Sequence, residues 1–251
     1  MAEWRFGRGW TPDELEERVR RLESAERNFD LDPNEMSVEA GWNHYVSTAR
    51  LAREPPGDPL PDGPFERAKV GIDNYAFSDP RIVTAHFDPE QPLLGRRMLL
   101  EIRVLGLRFL CGAVVGEVRA ETGESGASYG FRYDTLEGHI ERGAEWFILT
   151  KDRGTGEIRY RIEAYWRPGE FPNWWSRLGF HLVAHGRQRE WHHRAQRRLH
   201  LLARYGDLTS PAPTSGHLVH EGPEVIFQAR RGVDTRRGRG HLSTGSSGAR
   251  S

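Results

Sequence analysis

Cysteine is nearly missing from this chain of 251 residues, and so is lysine: Cys111 stands alone, and only Lys69 and Lys151 represent lysine. One cysteine excludes any intrachain disulfide, which suits a reducing compartment. It sits in the apolar run Leu107 to Val115, where a thiol serves as a small hydrophobe. Its one basic neighbour, Arg108, falls on the other face of an alternating strand. Net charge is also lacking, because 36 basic side chains balance 36 acidic ones. No overall field therefore draws the protein to nucleic acid, anionic membrane or acidic substrates, and nucleic acid is not expected as a partner. No apolar run approaches the length of a bilayer span, and Met1 to Arg8 lack the apolar core of a secretory leader. A cytoplasmic protein without a membrane span is expected.

Periodicity supplies the organisation. Thr11-Pro12-Asp13-Glu14 combines an N-cap hydroxyl, a proline at the first helical position and a Glu three residues after the cap, so a helix is expected over roughly residues 12–27. Residues 43–51 alternate as a short strand, 54–64 form a Pro- and Gly-rich loop, and Pro64 opens a second helix that stops before Pro80. From Arg81 the period becomes two. Six strands are predicted, at 81–87, 96–105, 107–120, 127–134, 143–151 and 157–167, with tight turns at 121–126 and 152–156. The last is the clearest, with Ile158, Tyr160, Ile162, Ala164 and Trp166 on one face. After Gly169 the helical period returns, with Ala184, Gln188, Trp191, Ala195, Leu199 and Leu202 in one stripe. Beyond Tyr205, Gly, Ser, Thr, Pro and Arg dominate, and a largely disordered tail is expected in which only Val225-Ile226-Phe227 is apolar enough to add a strand.

These elements define an α+β fold: a curved antiparallel sheet of about six or seven strands wrapped around a long C-terminal helix. The division is a helical extension over 1–39, the sheet-and-helix domain over 40–205 and the tail over 206–251.

The segment from Gly130 to Phe147 carries Tyr133, Asp134, Thr135, Leu136, Gly138, His139, Glu141, Arg142, Gly143, Glu145 and Trp146 between two strands. With the aromatic strand and Arg- and Gln-containing helix that follow, it resembles the domain-of-unknown-function 1990 family over roughly residues 40–205. Asp134 and Ala144 stand where many relatives carry Gly and Glu. The resemblance, like the element order, points to the helix-grip fold of birch-pollen-allergen and START lipid-transfer proteins, a likeness of architecture that does not by itself give a function.

Half of the aromatic residues lie between Tyr129 and Trp191. Between sheet and helix they either wall a pocket for an apolar ligand or fill the core. Asp134, His139, Glu141 and Glu145 fall within twelve residues, and His139 with Asp134 or Glu141 forms an acid/base candidate; the competing reading is a loop whose carboxylates bind backbone amides. No second histidine joins His139 at metal-ligand spacing. His181 and His185 lack the Glu of a zinc-protease helix, and His192, His193 and His200 read as a solvated basic face. No metal and no cofactor are expected. Trp174 and Trp175 cannot both face the core, which leaves one for the surface. The expected function is binding of a small apolar or amphipathic molecule, with Tyr160, Trp166 and Trp191 supplying burial and Tyr133, Asp134, His139 and Gln188 fixing a polar end. The alternatives are an acid/base enzyme of cyclase or hydrolase type, and a filled-core interaction module whose protein partner the sequence does not name.

Overall fold

The computed structural model describes residues 3–169, 174–206, 216–221 and 224–229, of which 174–187, 216–221 and 224–229 are described as backbone. The side chains of Trp174, Trp175, His181 and His185, and the arginines after residue 229, lie outside the described residues. One sheet of ten strands runs through the molecule, more than the six or seven expected. The strands are β1 (Glu3–Phe6), β2 (Asn43–Arg53), β3 (Val83–His86), β4 (Arg97–Val104), β5 (Leu107–Gly123), β6 (Gly126–Thr135), β7 (Glu141–Asp152), β8 (Glu157–Pro168), β9 (Gly216–Glu221) and β10 (Glu224–Ala229). Their order is β3-β4-β5-β6-β7-β8-β2-β10-β9. All neighbours are antiparallel except β10 and β2, which run parallel at Ile226↔Thr48 and Phe227↔Ala49. The additional strand β1 pairs with β5 at Leu107 to Leu110, in the place that β6 leaves open once it has ended at Thr135 opposite Ala113. Four residues are too few to show alternation, so the sequence did not reveal it.

Among the described residues three α-helices complete the fold: α1 (Pro12–Arg21), α2 (Pro64–Asp73) and α3 (Trp174–Tyr205). The capping box at α1 is formed, with Thr11 Oγ1 accepting from Glu14 N at 3.3 Å and the Glu14 carboxylate accepting from Thr11 N at 2.8 Å. The helix gives way to a 3₁₀ turn at Leu22–Ser24, short of residue 27, because Arg27 and Asn28 are drawn into bridging contacts with Leu136 and Thr135 at the sheet. At the other end of the molecule α3 stops at Gly206, whose φ of 68° lets its amide turn back to the Leu202 carbonyl at 2.8 Å. Among the described residues no helix is long and apolar enough to cross a membrane.

Strand alternation divides the sheet into two faces. The concave face carries Ala49 and Leu51 of β2, Phe131 of β6, Phe147 and Leu149 of β7, and Tyr160 and Ile162 of β8. These share one core with Phe65, Ala68 and Ile72 of α2 and Trp191, Ala195 and Leu199 of α3. The sheet thus grips the C-terminal helix. Phe147 lies at the centre, its ring 4.9–6.2 Å from those of Tyr75, Phe77, Phe131, Tyr133 and Trp191. Aromatic bulk fills the middle of the grip. The convex face is roofed by the N-terminal segment: Trp10 and Leu22 pack over Leu99, Leu110 and Leu136, and Phe29, Met36 and Trp42 over Ala144.

One sequence reading is corrected on α3. His192 and His200 do not lie on a solvated basic face; they are 1% and 6% exposed. A helix of this length lying along a sheet buries more than one stripe. His192, Gln196 and His200 form a second row at four-residue spacing beside Trp191, Ala195 and Leu199.

Candidate functional site

Three adjacent strands and β2 place one row of side chains across the concave face, because register pairs Tyr133 with Glu145, Glu145 with Ala164, and Ala164 with Tyr45. Ala164 is the small member of the row. His192 of α3 occupies the space above it, edge-on to the Tyr45 ring at 4.7 Å and with Nε2 3.3 Å from Glu145 Oε1. Its other nitrogen, Nδ1, lies 2.7 Å from Ser47 Oγ, to which Gln196 Nε2 also donates at 2.9 Å. The tautomer that fits has Ser47 donating to Nδ1 and the ring proton on Nε2, facing the carboxylate but off the hydrogen-bond line. On the second oxygen of Glu145, Tyr133 OH donates at 2.5 Å. Burial, with Glu145 beside it, raises the Tyr133 hydroxyl well above the usual phenol range, so it remains a proton donor.

Next to this row a cleft opens between β6, β7, β8 and α3. It is lined by Tyr133, Thr135, Glu141, Gly143, Glu145 and Trp166, with Gln188 on the helix side, and its free space is about 20 Å³. That is room for one water-sized group. Glu141 and Glu145 stand at its two ends on the same strand face, and Gly143 between them leaves the gap. No other residue is accommodated at Gly143: its φ is 156°, and an added Cβ would fall 2.0 Å from the Tyr165 carbonyl oxygen. Thr135 Oγ1 fixes this point by accepting from Gly143 N at 2.8 Å.

Burial and, secondarily, Glu145 push the Glu141 carboxyl up to about 8. Its carboxyl forms no hydrogen bond with the described residues. In an unfolded chain the same group would titrate near the ordinary Glu value, so between roughly pH 4.3 and 8 the folded state holds a proton that the unfolded state has released. Stability is therefore lost through this group as pH rises across that window. Glu141→Gln, which cannot ionise, is expected to be more stable than the parent at pH 8 and to lose that advantage towards pH 4. Denaturant titrations of both proteins at the two pH values check this.

Of the residues expected at a site, Tyr133, Glu141, Trp166 and Gln188 come together at the cleft. Tyr160 and Trp191 lie in the adjoining core, where Trp191 Nε1 donates to Ser78 Oγ at 2.9 Å. Asp134 and His139 are elsewhere. Asp134 follows Tyr133 directly and so points to the convex face, where Arg132 Nε and Nη2 hold it at 2.7 and 3.2 Å. His139, in the turn after β6, is buried with Nδ1 accepting from Glu141 N at 3.0 Å, and burial lowers it to about 4. It is a neutral imidazole in a loop, and Asp134 does not pair with it. Ser47, His192 and Gln196 were not foreseen as site residues. The signal for two of them was the four-residue spacing of Gln188, His192 and Gln196 beside the apolar stripe. Among the described residues no group of three His, Cys, Asp or Glu side chains is placed to hold a metal.

The crystal structure of Ara h 8.0201 aligns with 65% of this chain and 98% of its own length, at 9% identity and a TM-score of 0.39. No curated protein matches the sequence. The family described as a domain of unknown function, DUF1990, matches residues 30–198. Those bounds take in β2 to β8, the Gly130 to Phe147 segment and α3 as far as Arg198, and the chain belongs to this family.

Proposed function

We propose that the protein binds a small amphipathic molecule at the mouth of the grip, with its polar end in the cleft above Gly143 and its apolar body against Trp166. The observation that carries this reading is the convergence of Tyr133, Glu141, Glu145 and Gln188 on one water-sized gap with an aromatic wall. A few fixed polar groups beside apolar surface are what a small-molecule site requires. The filled centre of the core directs a ligand to this end of the helix. Tyr133 holds Glu145 before any ligand arrives, and His192, fixed by Ser47, stands beside it, so little ordering is left for the binding step.

Calorimetric titration with eight-carbon amphiphiles, namely an alcohol, an amine and a carboxylate, tests the proposal. Saturable one-site binding of at least one, abolished by Gln188→Trp across the mouth, is the expected result. Heats of dilution alone for all three would overturn it. A second reading, acid/base catalysis, is favoured by one observation: a carboxyl raised to about 8 shares the cleft with a second carboxyl held by Tyr133. In that case Glu141 and Glu145, and not His139 with Asp134, would move the proton.

A further inference from the structure

We propose that the polar end the cleft accepts is a primary ammonium group, so that the ligand is a small amine with an apolar body. The inference rests on the binding reading above and deepens it. The polar groups lining the gap are two carboxyls, the Tyr133 hydroxyl, the Thr135 hydroxyl and the Gln188 amide, and no Arg, Lys or His lines it among the described residues. Tyr133 spends its proton on Glu145, and the Thr135 hydroxyl donates to Asn28 Oδ1 at 2.6 Å. Tyr133 is thus left with acceptor lone pairs for a guest, whereas Thr135 Oγ1 already accepts from Gly143 N at 2.8 Å. Acceptors outnumber donors in the cleft: among the described lining side chains the donors are the Gln188 amide and, while it keeps its proton, the Glu141 carboxyl, so a carboxylate or phosphate end would be set beside the Glu145 carboxyl with few donors to hold it. Size is compatible with this: about 20 Å³ of free space has room for a group of water's volume such as –NH3⁺. The three hydrogens of an ammonium suit a gap with one carboxyl at each end and a carbonyl-bearing amide at the rim.

Charge balance then fixes a consequence. Near neutrality Glu141 is protonated, and an entering ammonium replaces that proton: the Glu141 O–H bond breaks, the proton passes to solvent, and the carboxylate accepts from the ammonium. Among the described residues the groups that bear on Glu141 and Glu145 are Tyr133 of β6, Tyr160 of β8, Tyr75 after α2, His192 of α3, Cys111 of β5 and the neutral His139. Burial raises the three phenols well above their usual range and the thiol to about 12, so none of them releases a proton at pH 7. Amine affinity is therefore expected to rise from pH 6 to pH 8 as the cost of removing the Glu141 proton falls.

The experiment is calorimetric titration of the full chain with octylamine, octanol and octanoate at pH 7, in phosphate and in HEPES, whose ionisation heats differ. Octylamine should bind about tenfold or more tightly than octanol, which corresponds to one charge-assisted hydrogen bond. Octanoate should bind most weakly, and the two buffers should report nearly one proton released per amine. Glu141→Gln should abolish the proton release and weaken octylamine about tenfold. Octanol binding as tightly as octylamine, blocked by Gln188→Trp, would overturn the amine assignment and leave the binding cleft standing. No binding by any of the three would overturn both. Proton release that persists in Glu141→Gln would overturn the exchange and, with it, the ammonium assignment.

Discussion

Lys151→Met should destabilise the protein by about 3–5 kcal/mol, the cost of leaving a buried charge without its partner. Lys151 and Glu54 have side chains 0% and 1% exposed, with Nζ 2.7 Å from Glu54 Oε2 and 2.7 Å from the Asp58 carbonyl. Glu54 also accepts from Phe65 N at 2.8 Å and Leu60 N at 3.1 Å. Those bonds matter because Gly63, the residue at the cap position of α2, has no side chain to close the helix start. Burial alone would raise the Glu54 carboxyl, yet Lys151 and the two amides hold it below the ordinary Glu range. Its contribution is accordingly present above the unfolded value and is lost as pH falls through the folded one. Adding Glu54→Gln to Lys151→Met should recover part of the loss, since the stranded charge is gone and an amide oxygen can still accept from α2. Urea unfolding of the single and double variants measures both effects. A loss below about 1 kcal/mol for Lys151→Met would place the pair among exposed ones.

Phe147→Ala should cost a similar amount, about 3–5 kcal/mol, through lost burial and the cavity left behind. The side chain is fully buried and meets rings from β6, the segment after α2, and α3 at once. No single neighbour can collapse into the space without leaving its own contacts, so the cost should lie at the upper end of the range. A chemical denaturation midpoint that barely moves would show the centre of the grip to be loosely packed.

How far the fold was legible depends on whether a segment buries one face with a regular period. β8 alternates cleanly because its concave face meets the core while its convex face carries the more exposed Arg159, Arg161, Glu163 and Tyr165, and all five of its concave apolar positions are buried. The N-terminal cover was not legible. Trp10, Phe29, Met36 and Trp42 pack on the convex face from irregular chain, where apolar residues have no period to betray them. At the site, the dense segment from Gly130 to Phe147 pointed to the right strands but not to the right side chains. Parity decides between Tyr133 and Asp134, since neighbours on a strand face opposite ways, and this alone removes Asp134. The role of His192 rests on Ser47, distant in sequence and brought close only by the folded sheet. An exchange of that kind leaves no local pattern. The raised Glu141 carboxyl likewise arises from burial, which a string of residues does not show.

Amide chemical-shift mapping with a bound eight-carbon amphiphile tests the central claim most directly, because each strand of the cleft carries its own reporter. The account predicts saturable shifts at Tyr133, Gly143, Glu145, Ala164 and Gln188, with convex-face positions such as Leu99 and Leu110 unmoved. Shifts confined to the convex face, or an absence of saturable shifts at the cleft, would contradict it.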